Sequence, residues 1–266
     1  MTISAVIIIL REVLEAALLV SLLLSSSMVM GISRRGVVAG IVFGIIGAGL
    51  VTWQFDLVSE SFEGVGQEVF NAALLSAIVL LLLAYSGYMG KGAVQQQSAG
   101  GIPPVLACLV VAMAVTREGM EVFVFMYGFT AIPEELLSVL VGAAMGAGIG
   151  ISLGVLIFYG LISLHGRLRV SLPQCLLALV AAGMASQAVV YLMQGGLIDS
   201  RLPVWDTTDW ISESSVSGQL LYALLGYEAT PTATQLVVYG MTLLLFIVVA
   251  LFARRQSAVL MGADAV

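Results

Sequence analysis

Histidine occurs once in the 266 residues, at His165, and cysteine twice, at Cys108 and Cys175. A haem-ligating bundle and an intramembrane metal hydrolase both draw histidine ligands from inside their helices. Neither fits a chain whose one histidine stands in a basic loop. The two cysteines lie outside any C-x-x-C context, which argues against a thiol–disulfide electron carrier and leaves ordinary free thiols. Charge is scarce too: 10% of residues are Asp, Glu, Lys or Arg, against 60% hydrophobic. There is no Walker A loop, dinucleotide fingerprint or basic nucleic-acid patch, so neither a nucleotide-driven pump nor a nucleic-acid partner is expected. A cleavable signal peptide is not expected either. The N-terminus has no basic region, and Arg11 and Glu12 interrupt what would be its apolar stretch.

Long apolar runs fill the space that charge leaves. A soluble chain of this length has too little interior to hide so much apolar surface, and runs of membrane-spanning length recur along it. Seven spans are predicted, near 3–30, 37–55, 69–89, 105–129, 136–161, 173–197 and 235–252. The fold class is an all-α polytopic membrane protein. The loops between spans alternate in charge. Arg34, Arg35, Lys91, Arg167, Arg169, Arg254 and Arg255 fall in loops one, three and five and in the tail. Asp56, Glu60, Glu63, Glu68, Glu134, Glu135, Asp199, Asp206, Asp209, Glu213 and Glu228 fall in loops two, four and six, where Arg201 is the exception. By the positive-inside rule the N-terminus is outside and the C-terminus cytoplasmic. The net charge of −6 is thereby gathered on the outer face, where it attracts cations.

Two charged pentads interrupt this apolar pattern: Arg11-Glu12-Val13-Leu14-Glu15 in span one and Arg117-Glu118-Gly119-Met120-Glu121 in span four. A charge at the bilayer centre costs roughly 2.5–3.5 kcal/mol, so each needs a partner, a wet cavity or a cation. Spans one and four run in opposite directions, which makes spans one to three and four to six inverted repeats with span seven added. The expected division is 1–90 for repeat one, 103–197 for repeat two, 198–234 for an outer loop with a short helix, and 235–254 for the last span, all in one permease domain. At 1.5 Å per residue both pentads lie roughly 12 Å from the outer edge, near the midplane where inverted-repeat transporters hold their substrate.

Within each pentad the glutamates are three apart and share a helix face, while Arg and the second Glu are four apart and can pair. Glu12, Glu15, Glu118 and Glu121 would thus form an oxygen-rich pocket for a hard multivalent cation, with Arg11 and Arg117 organising it. The alternative is that both pentads are ion pairs stitching helices together in a non-transporting membrane subunit.

The R-E-x-x-E pattern in spans one and four resembles the iron permease family, which includes the oxidase-coupled permease of fungi and the permease of the bacterial Efe system. The likeness extends to Leu10-Arg11-Glu12 with Glu15-Ala16-Ala17-Leu18, Ala114-Val115-Thr116-Arg117-Glu118-Gly119, Ala181-Ala182-Gly183 and Leu225-Gly226-Tyr227. Relatives often carry a second acid where this chain has Asn71. The resemblance implies iron, as Fe2+ or Fe3+, moving across the cytoplasmic (inner) membrane as a transported substrate. It implies no cofactor and no enzymatic reaction. It also implies an extracytoplasmic iron oxidase or iron-binding donor as partner beside the membrane lipid. Carboxylates alone leave manganese or another hard divalent ion open as substrate.

Other polar residues are secondary candidates. Glu60, Glu63 and Glu68, or Asp206, Asp209 and Glu213, are expected as outer receiving acids. Tyr85, Tyr88, Gln187 and Tyr191 are expected along the pathway. Val216, Leu220, Leu221 and Leu224 mark a short amphipathic helix ended by Gly226 at the outer mouth. Gly142, Gly146 and Gly150 mark a helix-packing face.

Overall fold

The computed structural model describes residues 2–89, 101–129, 133–166, 168–199 and 202–263. Lys91, Arg167 and Arg201, and the side chains of Asp56, Glu134, Glu135 and Arg254, lie outside the described residues. Within them the chain folds as α1 (Thr2–Met30), α2 (Arg35–Trp53), α3 (Phe55–Gly64), α4 (Gly66–Met89), α5 (Ile102–Gly128), α6 (Pro133–Ile162), α7 (Leu168–Gln194), α8 (Val216–Leu225) and α9 (Ala233–Ala263). Apart from these helices and their turns, the described residues hold one isolated antiparallel bridge, Pro203 to Thr232.

Five helices, α2, α4, α6, α7 and α9, are long and apolar enough to cross a membrane. α1 and α5 match them in length, 29 and 27 residues, and carry the pentads in their interiors. The outward faces are apolar. On α2 alone Val38, Val42, Phe43, Ile45, Ile46 and Leu50 are all more than half exposed, which suits a surface solvated by lipid and not by water.

Three segments differ from the sequence expectation. The acidic stretch 56–68, read as a loop, is mostly helical. It forms α3, which breaks at Ser61–Glu63, where Phe62 and Glu63 take positive φ. α7 starts at Leu168, ahead of the expected Pro173, which stands inside it. There proline forfeits one bond to the carbonyl four residues back, near the helix end where the loss is mildest. The short amphipathic helix, expected from around Ser212 to Leu225, begins later, at Val216, because Ser215 caps α8 by accepting from the Gly218 amide at 3.0 Å.

The pairing of helices is reciprocal. α1 packs along α6 and α2 along α5, while α4 packs along α7 and α9 lies against both. The first two seams are glycine-lined. A methyl on Gly146 would fall 3.0 Å from the Leu10 amide, and one on Gly150 would fall 3.0 Å from Val13. Across the other seam, a methyl on Gly44 would lie 2.9 Å from the Ala112 carbonyl. Close backbone approach of this kind is the usual way helices associate without a hydrophobic drive. The interior between the seams is filled by Leu14, Leu18 and Leu22 of α1, Leu75, Ile78 and Leu82 of α4, Val110 and Val111 of α5 and Leu177 of α7.

Candidate metal centre

The two pentads meet. One carboxylate oxygen from each of Glu12, Glu118 and Glu121 lies within 4.8 Å of the others, drawing ligands from α1 and α5. Glu12 and Glu118 are buried, and Glu121 is partly open. Glu12 Oε2 and Glu118 Oε2 find no hydrogen-bond partner among the described residues. Oxygens buried in this way need a positive partner. Three carboxylate oxygens at this spacing match what a hard cation takes from carboxylates.

Glu15, expected as the fourth ligand, is engaged otherwise. Its Oε1 accepts from Arg11 Nε at 3.3 Å and its Oε2 from Arg117 Nη1 at 3.3 Å, so it bridges the two arginines. Arg117 is the hub. Its Nη1 also donates to Glu118 Oε1, its Nη2 lies 3.3 Å from Glu121 Oε1, and that same nitrogen donates to the Tyr191 hydroxyl at 3.4 Å. Tyr191 in turn donates to Glu121 Oε1 at 3.0 Å. Tyr191, expected along the pathway, is therefore hydrogen-bonded to one carboxylate of the central cluster.

The arginines differ sharply in setting. The Arg117 side chain is 1% exposed, whereas that of Arg11 is 40% exposed. Arg11 faces a cavity of about 280 Å³ lined by Glu12, Glu213, Gln219 and Tyr222. Its Nη2 donates to the Tyr222 hydroxyl at 3.1 Å, and its guanidinium carbon lies 4.7 Å from the Tyr222 ring centroid. Sequence reading singled out neither Tyr222 nor Gln219. Tyr222 falls off the apolar stripe of α8. A phenol and an amide, Tyr222 and Gln219, on a short helix rich in leucine are the signal that was there.

A second, narrow cavity of about 20 Å³ joins Glu15 and Gln187 to Tyr222, Gly226 and Glu228. Gln187 Oε1 is buried there and without a hydrogen-bond partner among the described residues. Burial, and then the adjacent Glu213 carboxylate, pushes Glu228 up to about 7. Two of the segments quoted for the family likeness touch here. A methyl on Gly183 would fall 2.7 Å from the Cα of Gly226, itself left-handed at φ +67, so both positions need glycine.

The remaining candidates stand apart. Among the described residues, neither Glu60, Glu63 and Glu68 nor Asp206, Asp209 and Glu213 form a three-carboxylate group at the spacing of the central cluster. Glu60 and Glu63 are exposed on α3. Glu68 opens α4, with its Oε2 buried and unpartnered. Asp206 accepts from the Thr208 amide at 2.9 Å, Asp209 is exposed, and Glu213 Oε1 accepts from the Ala229 amide at 2.6 Å. Tyr85 is fully buried, its hydroxyl 3.3 Å from Ser27 Oγ, and Tyr88 is half-buried near the end of α4. Asn71 is buried with Oδ1 unpartnered. Cys108 and Cys175 are free thiols.

This chain is similar to known proteins over nearly its whole length. The ferrous iron permease EfeU of Yersinia pestis is 28% identical over 266 residues, covering 93% of each chain. That of Escherichia coli O6:H1 is 26% identical over 269 residues, covering 94% of this chain and 96% of the relative. That of Shigella sonnei is 26% identical over 250 residues, covering 87% and 89%. No solved structure matches. The family description that matches residues 2–258 is that of the iron permease FTR1 family. With almost every residue spanned, the chain belongs to the iron permease FTR1 family.

Proposed function

We propose that this protein carries iron into the cytoplasm across the inner membrane, binding the ion at Glu12, Glu118 and Glu121, with Glu15, Arg11 and Arg117 setting their charge and posture. Family membership makes the chain an iron permease of a multi-pass membrane protein. The observation that carries the site is the convergence of three carboxylate oxygens within 4.8 Å from two helices. The relatives are named ferrous iron permeases, which favours the divalent ion over Fe3+ or manganese. An extracytoplasmic oxidase or iron-binding donor would then hand the ion to the acidic outer face.

In this reading α1, α2, α4, α5, α6, α7 and α9 all span the bilayer, with the N-terminus outside. The reciprocal pairing of α1 with α6 and α2 with α5 is what an inverted repeat of three plus three helices requires. The inside-negative potential drives entry. At about 2.3 kcal/mol per charge per 100 mV, a divalent ion gains about 4.6 kcal/mol and needs no nucleotide.

The test is radio-iron uptake into proteoliposomes, comparing wild type with Glu12→Gln and Glu118→Gln. The expected result is a loss of uptake of at least about tenfold, or 1.4 kcal/mol, in variants that still elute as single symmetric species. Normal uptake by folded variants would reduce the pentads to helix stitching. Competition by excess manganese separates an iron permease from a general divalent carrier.

A further inference from the structure

The two pentads have the same sequence pattern but unequal surroundings. Arg117 is sealed among Glu15, Glu118, Glu121 and Tyr191. Arg11 is open to the cavity on the α8 side and is gripped there by a residue from outside either pentad, Tyr222. Tyr222 also lines the narrow cavity that reaches Glu15, Gln187 and Glu228. The ring therefore lines both cavities, beside Glu12 in one and Glu15 in the other.

We propose that Tyr222 is a specificity-determining positioning residue: it clamps the Arg11 guanidinium beside Glu12 and Glu15 as a built-in competitor that an arriving cation must displace. This rests on the reading of the central carboxylates as the ion site.

The geometry gives the clamp its two contacts. The Tyr222 hydroxyl accepts from Arg11 Nη2 at 3.1 Å, while Arg11 Nε remains 3.3 Å from Glu15 Oε1 and 3.9 Å from Glu12 Oε1. The ring adds a cation–π contact at 4.7 Å. Glu12 Oε2 is left unpartnered beside the cavity, as is Gln219 Oε1, both buried. An ion entering there meets those two oxygens first and can take the remaining carboxylate oxygens only as Arg11 withdraws. A cation that sheds water readily and coordinates carboxylate strongly offsets the lost arginine pairing, and one that dehydrates reluctantly, such as magnesium, does not. The clamp thus sets a threshold that discriminates by strength of inner-sphere coordination, a selectivity that carboxylates alone do not encode. Arg117 stays in place throughout, because its partners come from its own helix, from α1 and from Tyr191 on α7.

The experiment is ferrous-iron uptake into proteoliposomes under ascorbate, with magnesium as the competing ion. Tyr222→Phe keeps the ring and removes only the hydrogen-bond acceptor. The expected result is that the KM for ferrous iron falls by about threefold to tenfold, about a decade at most per 1.4 kcal/mol. Inhibition by magnesium strengthens by at least the same factor, and Vmax moves less than KM. A loss of packing would lower Vmax and leave the magnesium sensitivity alone. An unmoved or raised KM, or unmoved magnesium inhibition, in folded protein overturns the proposal. Arg11→Lys is the second variant should Tyr222→Phe fail to fold. A lysine has no fork with which to hold Glu15 and Tyr222 together, so its KM should fall as well, and an unmoved KM overturns the clamp. Glu12→Gln, run alongside, separates the two readings. If it transports normally the carboxylate site fails, and if it is dead while Tyr222→Phe keeps wild-type KM only the clamp fails.

Discussion

Replacing Arg117 and Arg11 one at a time by glutamine asks the same chemical question at two equivalent places in the pentads, and the structure predicts opposite answers. Arg117 is 1% exposed and pairs with Glu15, Glu118 and Glu121. Removing it strands Glu118 in a low-dielectric interior and leaves Glu15 only Arg11 and Glu121 only Tyr191, and breaking a buried ion pair in this way costs about 3–5 kcal/mol. At about 2–4 °C per kcal/mol for a chain of this size, the midpoint should drop by about 6–20 °C. Arg11 has a side chain 40% exposed beside a cavity, where screening holds such pairs to about 0–1 kcal/mol. Its replacement should shift the midpoint by no more than about 4 °C. Thermal stability of the purified protein in detergent, read as the monodisperse fraction surviving a temperature series, measures both. Equal shifts, or a larger one for Arg11, would refute the division of the arginines into one fixed and one movable.

Other consequences can be checked with the same preparation. Gly44→Ala should destabilise by about 1–3 kcal/mol through overpacking, because its methyl would lie 2.9 Å from the Ala112 carbonyl; Gly49→Ala on the same helix meets nothing within 4 Å and should be neutral or slightly stabilising in the thermal series. Glu228 is raised to about 7 by burial and by Glu213. The folded state therefore holds a proton that the unfolded chain has released, and stability should fall as pH rises from the ordinary glutamate range to about 7. Glu228→Gln should flatten that slope, and midpoints measured at a series of pH values would reveal it. Ser215→Ala removes the acceptor for the Gly218 amide and should cost about 1 kcal/mol, visible as faster proteolysis of the segment before α9.

Long elements were legible in the sequence because each is an apolar run of bilayer length ended by glycine or charge. The turn after α1 is an instance: Gly31 takes positive φ and Ile32 donates back to Ser27, a glycine-dependent helix stop. The central cluster was legible too, since two copies of one charged pattern in apolar runs admit few explanations. Its internal division was not. Spacing alone makes Glu12 and Glu15 equivalent, and only the arrival of Arg117 from another helix turns Glu15 from ligand to bridge. Tyr222 escaped for a related reason: its partner lies 211 residues away, and no local period encodes such a distance. α3 was hidden because Asp56, Glu60 and Glu63 interrupt its apolar positions, so no long apolar run marks it.

The bridge between Glu15 and Arg117 also carries a demand on biogenesis. The two residues are 102 positions apart, so at synthesis rates of about 5–20 residues per second the first pentad waits about 5–20 s for its buried counter-charge. During that interval Arg11 and two glutamates have only one another. In the seven-span reading proposed above, the first helix must therefore stay beside the insertion machinery, or lie shallow in the headgroups, until α5 emerges. Its final depth is settled only after helices made later are already in place.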